Sequence, residues 1–240
     1  MLTAPGGDGA LGRPAFPRAL CPAGQLGRIG HIGHMLARVY PLPLTNAAAA
    51  VPFWIIFVGF YLAGVVTQLR SRRNRGGTEV DRHSMSLAVV CLAVAFTVAF
   101  LLASWVPAAA IGGLRWPVFV AGLVMMGAGI GLRQWAIACL GRFFTTNVRI
   151  HGDEHGGHTV VDTGPYRWAR HPSYTGTLAT IFGIGLALGN WATLAVLTIV
   201  PTAAFLFRIR IEEAALLAGL GEPYRRYTAT VRARLIPGLW

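Results

Sequence analysis

The chain has no lysine; all 21 of its basic residues are arginine, against 9 aspartates and glutamates, for a formal net charge of +12. Charge of any kind is scarce, at 12% of 240 residues, where an ordinary soluble domain carries roughly 25%. That deficit argues against a second, soluble core. A basic balance is one mark of nucleic-acid binding. These arginines, however, flank long hydrophobic runs, as in a membrane protein with positive loops inside, so no nucleic-acid partner is expected. Cysteine is nearly absent: Cys21, Cys91 and Cys139 stand far apart with no CxxC spacing, which points to neither a disulfide framework nor a cysteine metal site. There is no glycine-rich dinucleotide fingerprint and no P-loop. Serines are few and Ser173 has no base near it in sequence, so no Ser/His/Asp order is compelling.

What the chain has instead is apolar length. Hydrophobic residues make up 54% of it and its mean hydropathy is +0.54. Residues 39–69, 84–114, 116–132 and 172–207 contain no Asp, Glu, Lys or Arg, and a membrane-spanning helix needs about 20 mainly apolar residues. The expected fold is an all-α polytopic membrane bundle with about five spans: 47–69, 86–111, 116–139, 172–188 and 191–210. The last two arise because 172–207 is too long for one span and Gly189-Asn190 in its middle is a turn signal. Gly122, Gly127, Gly129 and Gly131 in the third span are small residues of the kind that let helices approach closely in lipid. Arg133, near the inner end of that span, faces a site or snorkels to the interface.

Three regions are expected: a disordered tail over 1–46, N-terminal spans over 47–140, and a C-terminal region over 141–240. The basic start lacks an adjacent apolar segment and makes a poor signal peptide; Met35 is a candidate initiator. Arginine clusters place the 70–75 loop, the 141–174 segment and the C-terminus on the cytoplasmic side. The arginine-rich, lysine-free usage suggests a bacterial plasma membrane.

One stretch organises the rest: Gly164-Pro165-Tyr166-Arg167-Trp168-Ala169-Arg170-His171-Pro172-Ser173-Tyr174-Thr175-Gly176. Pro165 and Pro172 push their predecessors toward extended geometry, and Pro172 suits the first turn of a following helix. A helix start with free N–H groups suits an anionic ligand group; the plainer reading is an interfacial collar of Arg, Trp and Tyr. A second polar cluster, Arg208, Glu212 and Glu213, follows the last span. Arg208 and Glu212 share a helical face, either as a surface ion pair or as a ligand site. There a carboxylate can bind ribose hydroxyls or an amine, and an arginine can hold an anion bidentately. The loop His151-Gly152-Asp153-Glu154-His155-Gly156-Gly157-His158 is rich in potential ligands, but its spacing matches no defensible metal motif; no metal is expected.

Together these residues resemble the isoprenylcysteine carboxyl methyltransferase family and its phospholipid methyltransferase-like relatives. The matching pieces are Leu140-Gly141-Arg142-Phe143-Phe144-Thr145, His158-Thr159-Val160-Val161, Thr163-Gly164-Pro165-Tyr166-Arg167 and Arg170-His171-Pro172-Ser173-Tyr174-Thr175-Gly176. Arg208 with Glu212-Glu213, and Gly221-Glu222-Pro223-Tyr224 with Tyr227, complete the set. The resemblance implies an S-adenosylmethionine-dependent enzyme whose C-terminal segments bind the cofactor at the cytoplasmic membrane face. It implies cofactor contacts at His158, Thr159, Val160, Val161, Tyr166, His171, Pro172, Ser173, Tyr174 and Glu212. Arg208 matches the arginine assigned to the substrate, and Arg170 and Glu213 join it as candidate catalytic residues.

A carboxylate acceptor is already a nucleophile and needs no general base; an amine would need one, and His171 or Glu213 could serve. Because an arginine is a poor neighbour for a cationic amine, the expected acceptor is a lipophilic molecule with a carboxylate, rather than a protein, and no obligate protein partner is expected. Two alternatives stay open: phospholipid N-methylation, and a membrane sterol-type reductase using NADPH, whose C-terminal pattern is related.

Overall fold

The computed structural model describes residues 41–73, 78–81, 83–141, 148–150 and 160–238. A short helix α1 (Leu42–Thr45) leads into α2 (Ala47–Arg73), then β1 (Thr78–Asp81) and α3 (His83–Trp105). Next come α4 (Arg115–Leu140), β2 (Val148–Ile150), α5 (Pro172–Leu188), α6 (Trp191–Leu220) and α7 (Glu222–Thr230). Helices α2, α3, α4 and α6 are each long and apolar enough to cross a membrane. Helix α5 has 17 residues, about 26 Å at about 1.5 Å per residue, a little short of a hydrocarbon core of about 30 Å. It is also the most enclosed: Ile181, Ile184 and Leu188 are fully buried. On α2 and α3, by contrast, Ile55, Leu62, Val90 and Val94 are exposed, the surface that lipid would cover.

Helix α5 is drawn onto α4 by glycines. A Cβ on Gly129 would lie 2.6 Å from the Gly176 carbonyl, and one on Gly122 would lie 2.7 Å from the Gly183 carbonyl. Backbone therefore touches backbone over two turns of each helix. Gly127 and Gly131 do not take part, since a side chain at either would meet open space. The α5–α6 turn is built as its sequence suggests. Gly189 takes a left-handed φ of 63°, and the Asn190 side chain caps α6 by accepting from the Thr193 N–H at 3.1 Å.

Other boundaries differ from the sequence reading. Helix α3 stops at Trp105, not 111, because Pro107 opens a short 3-10 turn (Pro107–Ala109) that cannot continue the α-helix. Helix α1 and the buried Leu42 and Pro43 lie inside the expected tail; residues 1–40 lie outside the described residues. The fold is not purely helical: β1 and β2 pair antiparallel, Thr78 opposite Ile150 and Glu79 opposite Arg149. These strands join the segments that follow α2 and α4, which sequence reading expects on one side of the membrane. The C-terminal tail packs on the Arg170-His171 corner, where the Ala233 and Arg234 carbonyls accept from the Arg170 and His171 N–H groups at 2.9 Å each.

Candidate active site

A cavity of about 460 Å³ lies where these segments meet. One wall is mainly apolar, from Phe60, Gly64 and Val65 of α2 and Met85, Ala88, Val89 and Leu92 of α3, with Tyr61, Thr67 and Gln68 of α2 as its polar members. The opposite wall is polar and holds Arg133, Tyr166, Arg170, His171, Ser173, Tyr174, Thr177, Arg208, Glu212, Tyr224 and Tyr227, with Val160 and Val161 beside them. Helix α5 carries its contribution at its N-terminal end because Pro172 starts the helix there, with His171 as its N-cap residue. The long helix α6 carries Arg208 and Glu212 past the apolar span and one turn apart.

The polar wall is wired through one hydroxyl. Tyr174 Oη donates to Glu212 Oε2 at 2.7 Å and accepts from Arg208 Nε at 2.7 Å. Arg208 Nη1 donates to Ser84 Oγ at 2.9 Å, so α3 is tied to the same relay. Arg208 is 2% exposed, which removes it from the class of surface ion pairs. The His171 ring stacks on Tyr174, with centroids 5.6 Å apart and planes within 10°. Arg133 Nη1 donates to Thr177 Oγ1 at 2.6 Å, so this arginine faces the cavity instead of snorkelling away.

Glu213 points elsewhere. Arg234 Nε donates to its Oε2 at 2.9 Å, and Arg170 Nε lies 2.8 Å from Oε1, an ion-pair distance without hydrogen-bond alignment. His171 Nε2 lies 3.3 Å from the same Oε1. The group is nearly buried and off the cavity wall, so it joins the Arg170-His171 corner, helix α6 and the C-terminal tail. The helix-start N–H groups that the sequence offered to an anion are partly taken by that tail, which accepts from both Arg170 and His171. Tyr227 Oη adds a bond to the Tyr166 carbonyl at 2.8 Å. Burial pushes the phenols of Tyr166, Tyr224 and Tyr227 up, reinforced at Tyr166 by the Glu212 charge, so all three stay protonated donors.

The structure thus brings Val160, Val161, Tyr166, Arg170, His171, Ser173, Tyr174, Arg208 and Glu212 to one cavity. Pro172 is buried at the first turn of α5 and shapes the site through the backbone. His158 and Thr159, and the remainder of the histidine-rich loop, lie outside the described residues. Sequence reading gave no part to Ser84, Thr177 or the α2 and α3 wall. Nothing local marks a serine at the start of an apolar run as a partner for an arginine 124 positions away.

Residues 120–218 match the family model described as the isoprenylcysteine carboxyl methyltransferase (ICMT) family. A probable protein-S-isoprenylcysteine O-methyltransferase of Oryza sativa subsp. indica is 35% identical over 120 residues, covering 50% of this chain and 62% of that protein. Protein-S-isoprenylcysteine O-methyltransferase A of Arabidopsis thaliana is 36% identical over 117 residues, covering 49% and 58%. The corresponding Rattus norvegicus protein is 32% identical over 143 residues, covering 57% and 49%. The chain therefore spans about three fifths or less of the length of these curated relatives. A solved structure of a eukaryotic intramembrane Ras methyltransferase, ICMT, superposes with a TM-score of 0.62 at 25% identity, covering 90% of this chain and 75% of that one. The matched stretch holds Arg133, the Tyr166–Tyr174 corner and the Arg208, Glu212, Glu213 cluster, so the similarity to the isoprenylcysteine carboxyl methyltransferase family falls on the residues that line and brace the cavity.

Proposed function

We propose that the chain is an integral-membrane, S-adenosylmethionine-dependent carboxyl O-methyltransferase. The observation that carries this is the relay Ser84–Arg208–Tyr174–Glu212, whose last three members line a cavity that α2 and α3 border with mainly apolar side chains. A carboxylate amphiphile has both surfaces it needs there: a guanidinium for its head and aliphatic side chains for its tail.

The residues fit the methyl donor. The cavity volume falls in the range of about 300–1,000 Å³ typical of ligand sites. Glu212 offers a carboxylate for ribose hydroxyls, and Tyr166, Tyr224 and Tyr227 offer aromatic surface and protonated hydroxyls. Val160, Val161, Tyr166, His171, Ser173, Tyr174 and Glu212 would hold it, with His158, Thr159 and Pro172 joining through the motif. When bound, S-adenosylmethionine supplies an electrophilic methyl group. The chain's own task is to orient a carboxylate that already carries its nucleophilic electron pairs. Arg208 holds that carboxylate while Tyr174 and Ser84 fix the guanidinium plane. The apolar wall keeps water from the reacting oxygen, and positioning of this kind is worth about 7–11 kcal/mol.

The acceptor expected from sequence was a small lipophilic carboxylate. The relatives are named protein-S-isoprenylcysteine O-methyltransferases, which goes against the expected non-protein acceptor; the two share only a carboxylate on a lipophilic group, and the proposal takes the relatives' form of it, a carboxylate beside an isoprenyl thioether. The active site faces the side of the arginine-rich loops, which positive-inside bias makes cytoplasmic. The bacterial plasma membrane inferred from composition has no counterpart among these relatives, all of them eukaryotic.

The test is transfer of tritiated methyl from S-adenosylmethionine to an N-acylated S-farnesylcysteine, followed by base treatment. Label released as volatile methanol identifies the expected methyl ester. Base-stable label on amine headgroups of a lipid extract would replace it with N-methylation. Binding of NADPH in place of S-adenosylhomocysteine would overturn the methyltransferase reading.

A further inference from the structure

We infer that Arg133 is a second anion anchor of the cavity and takes the methionyl carboxylate of the methyl donor; this rests on the S-adenosylmethionine reading above. Arg133 sits in α4, inside a candidate membrane span. A guanidinium at that depth is costly unless compensated. Among the described residues the other buried cations near the site have partners. Arg170 and Arg234 share Glu213, while Arg208 meets Tyr174 and Ser84. Arg133 has only the Thr177 hydroxyl, at 2.6 Å, and forms no salt bridge among the described residues. A hydroxyl offers a dipole and no charge, so the compensating anion is the missing component.

Packing fixes where that anion must be. A Cβ on Gly176 would lie 2.6 Å from the Arg133 backbone nitrogen, so α5 is pressed onto α4 at this turn. Thr177 is itself anchored, donating to the Ser173 carbonyl at 2.9 Å. The guanidinium is thereby held on the cavity wall beside Ser173, within the donor-binding stretch. Arg208 is held instead by Ser84 of α3 and by the Tyr174 hydroxyl. The reaction brings two carboxylates into one cavity: the acceptor's, which reacts, and the donor's amino-acid carboxylate, which does not. Two guanidiniums on the same cavity, one held by Thr177 and the other by Tyr174 and Ser84, match that requirement, and the one packed on α5 belongs to the donor.

The experiment is calorimetry on the full chain in nanodiscs. S-adenosylhomocysteine is compared with its decarboxylated analogue, which keeps the thioether and the amine. Wild type should prefer the carboxylate-bearing ligand by about tenfold or more, the order of a charge-assisted hydrogen bond. Arg133→Gln should bind both alike, and Arg133→Lys should regain part of the preference, with melting temperatures near wild type. An Arg133→Gln variant that keeps the preference, or weakens both ligands equally, overturns the inference while leaving the donor reading intact. Unchanged S-adenosylhomocysteine affinity with a raised acceptor KM would overturn the donor assignment and give the carboxylate to the acceptor. Wild-type protein that binds neither ligand would instead overturn the donor reading itself.

Discussion

Glu212 and Glu213 are neighbours in sequence and opposites in the molecule. Adjacent helical residues point about 100° apart, and on α6 that rotation separates a cavity-lining carboxylate from one paired with the corner and tail. Glu212 lines the cavity and accepts from Tyr174. Glu213 lies behind it, joined to Arg170, His171 and Arg234. The lesson is that a polar doublet next to a membrane span can divide two tasks. One member lines the cavity; the other holds the Arg170-His171 corner and the tail beside it. His171 stands between them, its Nε2 3.3 Å from Glu213 and its Nδ1 4.0 Å from Glu212.

The largest expected effect follows from emptying the structural side. Glu213→Ala leaves Arg170 and Arg234 without their shared carboxylate, and removing one partner of a buried ion pair costs about 3–5 kcal/mol. Loss of a cooperative melt, or a steep fall in melting temperature, is the outcome to look for in thermal unfolding. A wild-type melt would break the division of labour.

The glycine seam gives a second contrast. Gly129→Leu drives a side chain into the Gly176 and Thr180 backbone; overpacking of this kind costs about 1–3 kcal/mol. It should also displace α5 and weaken donor binding. Gly127→Ala, two residues away and facing open space, should leave the melting temperature equal or slightly higher, since alanine is the better helix former by about 1 kcal/mol. Similar losses in both variants would contradict the α4–α5 packing.

The smallest effect sharpens the ligand side. Ser84→Ala removes one hydrogen bond to Arg208, worth about 1 kcal/mol. Acceptor KM should rise a few fold, S-adenosylhomocysteine affinity should hold, and stability should change little. A drop in cofactor affinity instead would move Arg208 from the acceptor to the donor.

Much of this architecture is legible in the residues because each signal is local. Pro172 and Gly189 bracket α5 at both ends as read, and Asn190 opens α6 as its side-chain chemistry suggests. The motif residues converge because two helix ends and one proline-set corner carry most of them. What sequence hides is direction. Composition alone does not say which glycines of α4 face α5, and only Gly122 and Gly129 of the four do. Likewise, helical spacing puts Arg208 and Glu212 on one face but does not reveal that they meet on the Tyr174 hydroxyl, nor that Glu213 is turned toward the tail. The β1–β2 pair escaped because four- and three-residue strands are too short to show alternation.

The most direct test sets Glu212→Gln against Glu213→Gln, measuring S-adenosylhomocysteine affinity by calorimetry and melting temperature on the same preparations. The expected result is a crossing. Glu212→Gln loses about tenfold or more in affinity, as for a charge-assisted bond, with its melting temperature near wild type. Glu213→Gln loses roughly 5–10 °C and, below its melt, binds close to wild type. Glu212→Gln binding as tightly as wild type, or both variants losing affinity and stability together, would contradict the assignment of one carboxylate to the ligand and the other to the fold.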